Sequence, residues 1–569
     1  MTTTLGSPPT EAPKRARSVP QTVGGVIAAL VALASIGVTL RAQLNGDVTY
    51  ALGGIETAGK GGVSIWDVFI ARPVVYKLLI GWMDDFRALF VADERVVVQQ
   101  TLLRAEAWVL IAGVVAVLYF GVRRFLGAAA ATGIAVATGL ALVVAPPWHF
   151  LEPDWVAALA GVLAVGAACA PRRDWLGGVL GGVAACLVVA VKLATFPVAL
   201  LALLIVAVLG RRRAIWASGM TALAVAVWYV LTKQLLPWEW IWLADQAALV
   251  QDSPIHHGIR WEDIHHLLIG VANVAILSPV VVLAPAAAVV LVRRAPSGRG
   301  RWIGAGVAVV AAGLSVASAY GQGEFYMYHF AIVPILAAGV WGAAYALVPA
   351  ARLPLAIMTL LVAVSCYLLL RRPAGWRLAH ADETAIVIGL VAVVAALVLA
   401  GLGSGRRRVP AAPWAVGLVA LCAALVPASM PGAPYAFSSY DYAIYNSGWN
   451  GHAFADLSRR LGRDTPVLYL TFGSVNQAMG NPTSCRYPSP QWLQRGAGIL
   501  EVRTYRSYAD NLKCLTGDQD AKYLVWQPKW FNIGRSSPEV RALIARRFNC
   551  DPSARLPAPR DYVVCPARG

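Results

Sequence analysis

Long apolar runs separated by short polar breaks constrain this chain more than any other feature. They recur from Val23 to Met430, and most are close to the roughly 20 residues that a helix needs to cross a bilayer. Of all residues, 58% are hydrophobic and 14% are charged, whereas soluble domains are about 45–50% apolar. The sequence therefore predicts a polytopic α-helical membrane protein.

The runs predict about 13 transmembrane helices. They lie near residues 21–41, 105–122, 125–145, 153–170, 175–190, 194–210, 214–232, 267–292, 302–320, 328–348, 353–370, 384–402 and 413–430. We expect a disordered cytoplasmic tail over 1–20, a transmembrane domain over 21–430 with a long first outer loop over 42–104, and a soluble α/β domain over 431–569. In that last domain, strand-like runs lie at 466–470, 523–526 and 562–564, with a helix-like segment at 538–548.

Basic residues indicate the orientation, because Lys and Arg are enriched in cytoplasmic loops. Lys14, Arg15 and Arg17 precede the first run, which favours a cytoplasmic N-terminus in a bacterial plasma membrane. Among the paired or tripled arginines of the loops, Arg371-Arg372 alone contradicts this orientation. An odd number of spans then places the C-terminal domain outside. The net charge of +18 is divided among loops between spans, so the lipid bilayer, and no nucleic acid, is the predicted partner.

The cysteines fall into two groups. Four lie inside apolar runs, where cysteine behaves as a small hydrophobic residue: Cys169, Cys186, Cys366 and Cys422. Four lie in the C-terminal domain, where an oxidising compartment permits disulfides: Cys485, Cys514, Cys550 and Cys565. Three pairings are open to them. We favour Cys485 with Cys514 and Cys550 with Cys565, because each closes a moderate loop; four free thiols are the alternative.

Charged residues at the predicted outer ends of the spans are functional candidates, because charge at a membrane edge is costly. Asp47 follows the first span, and Glu152 and Asp154 lie in the short second outer loop. Lys192 interrupts the apolar run between two later spans.

Two short elements in the first outer loop carry a family resemblance. Asp47 and Tyr50 form an acidic-aromatic motif, and Arg72, Pro73 and Tyr76 form a following Pro-Tyr element. Both resemble the membrane glycosyltransferases of the GT-C superfamily. Further similar positions are Glu152 and Asp154, the Lys-containing break at 192–197, Tyr328-His329 before Pro334, and the turn over 480–490.

The resemblance implies a sugar donor carried on a polyprenyl phosphate and a general base in the first outer loop, for which we expect Asp47; Asp67 or Asp154 is the substitute. One base in a single displacement implies inversion at the anomeric carbon. Heavy use of Ala, Arg and Val suggests an actinobacterial type, and with it arabinofuranose or mannose transferred to a cell-envelope glycan, lipid or protein.

The leaving phosphate calls for cations, and Arg72, Lys192 and Arg260 are the candidates. Side chains that snorkel to the membrane interface are the alternative for each. Tyr50, Tyr76, Glu152, Asp154, His256, His257 and His329 are the other candidate substrate-binding residues.

The histidines between His256 and His266 admit a metal site, contacts to phosphate or sugar, or a solvated loop. Their spacing matches no closed zinc pattern. Asp47 is followed by Val48 rather than by a second acidic residue. We therefore predict no cofactor, although a divalent metal is compatible with the sequence.

Two other classes of protein stay open. A transporter or flippase of a lipid-linked saccharide would use charges at the membrane edge without a base, and an assembly subunit would use the C-terminal domain to bind partners. The long first outer loop with its aspartate favours the enzyme.

Overall fold

The computed structural model describes residues 19–40, 42–91, 95–251, 260–323, 325–402, 413–427, 451–517 and 520–568. The predicted tail over 1–20 therefore lies almost wholly outside the described residues. In the part that corresponds to the predicted transmembrane domain, the α-helices are α1 (Val19–Thr39), α2 (Gly46–Lys60), α3 (Val74–Phe90), α4 (Val96–Leu126), α5 (Ala128–Val143), α6 (Pro153–Cys169), α7 (Asp174–Val191), α8 (Phe196–Leu209), α9 (Arg211–Leu235), α10 (Pro237–Gln251), α11 (Trp261–Leu277), α12 (Val280–Arg293), α13 (Gly298–Gln322), α14 (Ile332–Leu347), α15 (Arg352–Leu370), α16 (Ala374–Ala379), α17 (Ala381–Leu402) and α18 (Trp414–Leu425). Short 3₁₀ helices at Leu193–Thr195, Met327–Phe330 and Pro349–Ala351 join some of them.

Eight helical segments of the described residues are long and apolar enough to cross a membrane. They contain α1, α4, α7, α9, α13, α14, α15 and α17. Four further apolar helical segments, which contain α5, α6, α8 and α18, are shorter but lie where the sequence predicts spans. The chain thus has the helices of a multi-pass membrane protein, and the full number of 13 spans stays a prediction.

The predicted span over 267–292 differs from the structure. It is two helices, α11 and α12, which meet at an angle of 96°. Proline disfavours helical backbone at the residue before it and has no N–H to donate, and Pro279 follows Ser278 at this break. Helix α4 begins at Val96, so the last residues of the predicted first outer loop over 42–104 are helical.

Small residues bring the apolar helices close together. A Cβ atom on Gly342 of α14 would lie 2.4 Å from the carbonyl oxygen of Gly133 on α5. On α7, a Cβ atom on Gly178 would lie 2.2 Å from the Cβ of Trp216 on α9. Close backbone approach at small residues is typical of helix packing in membranes, where apolar burial between helices gains little.

The C-terminal part is mixed α/β. Its elements are α19 (Gly451–Leu461), β1 (Val467–Leu470), α20 (Ser474–Met479), α21 (Gln491–Arg495), α22 (Arg506–Gly517), β2 (Tyr523–Trp526), α23 (Pro538–Arg547) and β3 (Val563–Pro566). The sheet has the order β1-β2-β3, with β1 parallel and β3 antiparallel to β2. The strands and α23 lie within two residues of the predicted runs. That this part forms a separate domain outside the membrane stays a prediction.

The C-terminal part packs against the segment predicted as the first outer loop. Phe69 and Trp242 belong to the same apolar cluster as the buried Trp492 and Leu524. Disulfides link Cys485 to Cys514 and Cys550 to Cys565, with Cα atoms 5.5 and 4.9 Å apart, which is the pairing that the sequence favours. The four cysteines of the apolar runs are buried and free.

Candidate functional site

Asp47 lies in the first turn of α2, where a carboxylate interacts favourably with the helix dipole. The side chain of Asn45 caps this helix by accepting from the Asp47 N–H at 3.3 Å. The Asp47 carboxylate forms an ion pair with the Arg72 guanidinium. One quarter of the Asp47 side chain stays exposed, so a ligand can reach it while the pair is intact.

Two hydrogen bonds join the predicted second outer loop to residues on either side of this ion pair. The Asn45 side-chain amide donates to the Trp148 carbonyl at 3.1 Å, and the Tyr76 hydroxyl donates to the Leu151 carbonyl at 2.9 Å. Tyr76 is fully buried. The Pro-Tyr element of the first loop therefore holds the backbone directly before Glu152.

Glu152 is fully buried, and neither of its carboxyl oxygens has a hydrogen-bond partner among the described residues. Burial raises the pKa of this carboxyl well above its ordinary value, and the nearby charge of Asp47 raises it further, against the opposing effects of Arg72 and Lys192. A carboxyl group with a raised pKa can stay protonated and donate a hydrogen bond. Glu152 is thus an unused donor or acceptor next to two cations.

A second carboxylate–cation pair lies beside the first. Asp154, near the start of α6, is 2.7 Å from the Lys192 ammonium, which follows the end of α7. The other oxygen of Asp154 accepts from the Gln322 amide at 3.1 Å. Lys192 also lies over the Tyr328 ring, 5.6 Å from its centre. The break between α7 and α8 therefore places a cation beside the Asp154 carboxylate.

His329 comes from the 3₁₀ turn that precedes α14. It is 3% exposed, its ring packs edge-on against that of Tyr328 at 4.5 Å, and its Nδ1 atom has no hydrogen-bond partner among the described residues. Lys192 and Arg72 are its charged neighbours. Because the His329 ring lies near both cations, it could contact an anion that they bind.

Tyr50 lies between these charged residues and the C-terminal part. Its ring packs on Phe472 at 5.6 Å, and its buried hydroxyl has no partner among the described residues. Burial raises the pKa of this hydroxyl, so it stays protonated and can donate. Arg72, Asp47 and Arg495 are its charged neighbours.

We refer to Asp47, Arg72, Tyr76, Glu152, Asp154, Lys192 and His329 as the acidic–basic cluster. Its members come from the loops and helix ends of five separate stretches, and the structure brings them together. Each cation already has a carboxylate partner. An incoming phosphate would therefore exchange with a carboxylate instead of meeting a free cation.

Some predicted residues do not join the cluster. Arg260 is exposed in front of α11, and no contact to the cluster supports its predicted phosphate role. His256 and His257 lie outside the described residues. His265 pairs with Asp382 at 2.7 Å. Within the described residues, no group of three or more His, Cys, Asp or Glu side chains could hold a metal ion.

Several contacting residues escape the sequence patterns. Gln322 and Ser318 lie near the C-terminal end of α13 beside Asp154. Glu239 is buried on α10 and accepts from the Val74 N–H at 2.8 Å, fixing the start of α3. Gln322 could have been identified from its place near the end of an apolar run. No sequence pattern indicates Glu239.

Comparisons with known proteins give fold-level similarities only. No protein-family model and no curated protein matches the chain. One solved structure, of ArnT from Cupriavidus metallidurans in the apo state, is 14% identical with a TM-score of 0.49, over 96% of this chain and 97% of that chain. Another, of ArnT from the same organism bound to undecaprenyl phosphate, is 17% identical with a TM-score of 0.48, over 97% of this chain and 98% of that chain. Both TM-scores lie below 0.5, so neither similarity assigns this chain a function.

Proposed function

We propose that the chain is a membrane glycosyltransferase of the GT-C type, which transfers a sugar from a polyprenyl phosphate to a cell-envelope acceptor. One observation carries the proposal: the Asp47–Arg72 and Asp154–Lys192 pairs flank a buried Glu152 that has no hydrogen-bond partner among the described residues. Sugar transfer needs a base, cations for the leaving phosphate and polar groups for the sugar, and this cluster supplies all three classes.

In the proposed reaction, an acceptor hydroxyl attacks the anomeric carbon as the bond from that carbon to the phosphate oxygen breaks. The electron pair of that bond leaves with the phosphate, and Asp47 takes the hydroxyl proton. A single displacement of this kind inverts the anomeric carbon.

Arg72 has two roles in this proposal. Before the donor binds, its guanidinium is paired with the Asp47 carboxylate. A bound phosphate would draw the guanidinium towards itself, because Arg binds phosphate in a bidentate manner. The Asp47 carboxylate would then be released from the ion pair as the acceptor arrives. Lys192 would bind the phosphate as a second cation.

Glu152, Tyr50 and His329 are the proposed sugar- and phosphate-orienting groups, since each is buried and carries a polar atom without a partner among the described residues. Arabinofuranose or mannose as the sugar, an actinobacterial type, and an N-terminus in the cytoplasm with the C-terminal part outside belong to the same proposal. Their support is the composition and loop charge of the sequence.

The test is sugar transfer by the purified protein in nanodiscs, offered a panel of synthetic polyprenyl-phosphate sugars with candidate acceptors. We expect Asp47→Asn to abolish transfer while polyprenyl phosphate still binds, as followed by native mass spectrometry. Asp85→Asn is the matched control, because Asp85 is exposed on α3 in the same outer loop, and it should transfer at the wild-type rate.

Wild-type protein that binds the lipid but transfers nothing across the panel would contradict the enzyme. A vesicle assay would then separate the remaining classes. Movement of a labelled lipid-linked sugar across the bilayer would identify a transporter, and its absence would favour an assembly subunit.

A further inference from the structure

An open cavity of about 470 Å³ lies outside the acidic–basic cluster, between α10 and the C-terminal part. Trp238 of α10 forms one wall, and Arg486 and Tyr487 form the floor. Arg506, Asp510 and Lys513 of α22 form the opposite wall. We call it the α10–α22 groove. Neither α10 nor α22 is among the described helices that are long and apolar enough to cross a membrane.

The α10–α22 groove has an excess of positive charge. Arg506, Asp510 and Lys513 are spaced four and three residues apart, so they share one face of α22. Asp510 is paired with Arg486, which leaves the charges of Arg506 and Lys513 uncompensated within the cavity wall. Both of these side chains are exposed. An anion is the ligand that such a wall attracts.

Aromatic rings lie beside the charges. The Arg486 guanidinium stacks over the Trp238 ring at 4.7 Å, and its buried Nε atom has no hydrogen-bond partner among the described residues. The Tyr487 hydroxyl donates to Asp510 at 2.7 Å. Tyr487 is 3% exposed, so its ring supports the floor, whereas Trp238 is partly exposed in the cavity. Trp combines an apolar ring with a polar tip, which suits the mixed C–H and hydroxyl faces of a sugar. A small free anion would use the charges but not this ring.

The groove is preformed, because covalent and hydrogen bonds hold its walls together. The Cys485–Cys514 disulfide joins its floor to α22, and the Arg486 N–H donates to the Cys514 sulfur at 3.1 Å. The Asp245 carboxylate of α10 accepts from the Ser507 N–H at 2.8 Å, tying the two walls together. A preformed site loses less conformational freedom when its ligand binds.

The groove also reaches towards the acidic–basic cluster. The Phe69 N–H donates to the Arg486 carbonyl at 2.8 Å, and the Phe69 ring packs on Tyr487 at 5.0 Å. Arg72 follows Phe69 by three residues, a span of at most about 11 Å. A short stretch of the first loop therefore joins the floor of the groove to the cluster that contains Asp47.

We propose that the α10–α22 groove binds an anionic saccharide, a chain of sugars that carries carboxylate or phosphate groups. This rests on the proposed function, for which it names the class of acceptor. The groove holds the charged part of the acceptor while its reacting hydroxyl approaches Asp47.

Direct binding tests this without relying on turnover. The full-length protein in phosphatidylcholine nanodiscs is titrated with tetragalacturonate and a singly phosphorylated mannotetraose. The methyl ester of the first and plain mannotetraose are the neutral counterparts. We expect at least one charged saccharide to bind about tenfold or more tightly than its neutral counterpart. The double variant Arg506→Glu/Lys513→Glu should lose that preference.

Arg546→Glu/Arg560→Glu is the matched control, since it reverses two exposed charges of the same C-terminal part away from the groove. It should bind as wild type does. Equal binding of charged and neutral saccharides, no binding of any, or full binding by the groove variant would overturn the proposal. So would a groove-dependent response to phosphatidylglycerol nanodiscs or inorganic phosphate alone. Transfer by wild type and its loss in Asp47→Asn are measured separately, so a failure of saccharide binding is distinguishable from a failure of the proposed function.

Discussion

Ala71 and Leu151 both adopt left-handed backbone conformations, with φ of 55° and 65°, and each directly precedes a charged residue of the acidic–basic cluster. The residues that follow are Arg72 and Glu152. Left-handed backbone costs a residue with a Cβ atom about 1–2 kcal/mol, and such conformations concentrate at functional sites. Two separate loops thus have the same unfavourable backbone conformation directly before a titratable residue of the cluster.

Replacing Ala71 tests this turn. We expect Ala71→Val to lower the apparent melting temperature in detergent, because a β-branched residue tolerates positive φ poorly, with a cost of about 1–3 kcal/mol. Ala71→Gly should leave stability unchanged or raised. Ala88→Val, at an exposed position of α3, is the control and should cost less than 1 kcal/mol, on the order of helix propensity alone. Equal losses at the two positions would mean that the backbone at Ala71 is not strained.

The buried carboxyl of Glu152 predicts a pH-dependent stability. A carboxyl whose pKa is higher in the folded state makes folding bind protons, so stability is full below the unfolded pKa of about 4.3 and falls as pH rises towards the folded value. Glu152→Gln should therefore raise the apparent melting temperature at pH 8, because the amide removes the proton uptake that accompanies folding there. The gain should shrink as the pH is lowered to 5.

Glu501→Gln is the control for this experiment, because Glu501 is exposed. It should not change the pH profile of melting. An identical profile for wild type and Glu152→Gln would show that Glu152 is not held in the environment that the structure gives it.

Replacing one partner of the Asp154–Lys192 ion pair should destabilise the protein more than replacing both. Lys192→Met leaves a carboxylate that is 3% exposed without its cation, at a cost of about 3 kcal/mol. The double variant Asp154→Asn/Lys192→Met should recover most of that stability. It should not recover binding of polyprenyl phosphate, because the cation is still missing. Recovery of lipid binding in the double variant would rule out Lys192 as a phosphate ligand.

Much of this arrangement could be predicted from local sequence, and the rest depends on contacts between distant segments. Sequence alone could identify Asp47, Glu152 and Lys192, because placing a charge at the edge of a membrane costs free energy and such a residue is therefore a functional candidate. Strands β1 and β2 could be found because a short apolar run between turns has few other structures open to it. Trp242 illustrates the limit. Closely spaced Trp residues between apolar runs, as at 238, 240 and 242, are typical of the membrane interface, but Trp242 is 4% exposed and packs on Phe69. No local pattern shows that the C-terminal part covers the first outer loop.

Two glycines of α2 provide the sharpest test of that covering. A Cβ atom on Gly53 would lie 2.2 Å from the backbone nitrogen of Gln477, at the contact with α20, whereas Gly59 has nothing within 4 Å. Gly53→Ala must push two backbones apart, and we expect it to destabilise the protein by about 1–3 kcal/mol or more. Gly59→Ala should instead stabilise it by up to about 1 kcal/mol, because alanine favours helix over glycine.

The same substitution on one helix should thus change the apparent melting temperature in opposite directions. Gly53→Ala should also weaken sugar transfer, because α2 carries Asp47 at its first turn and would shift as α20 is displaced. If both variants gained stability, the C-terminal part would not rest on α2, and the position of Tyr50 against Phe472 would lose its support.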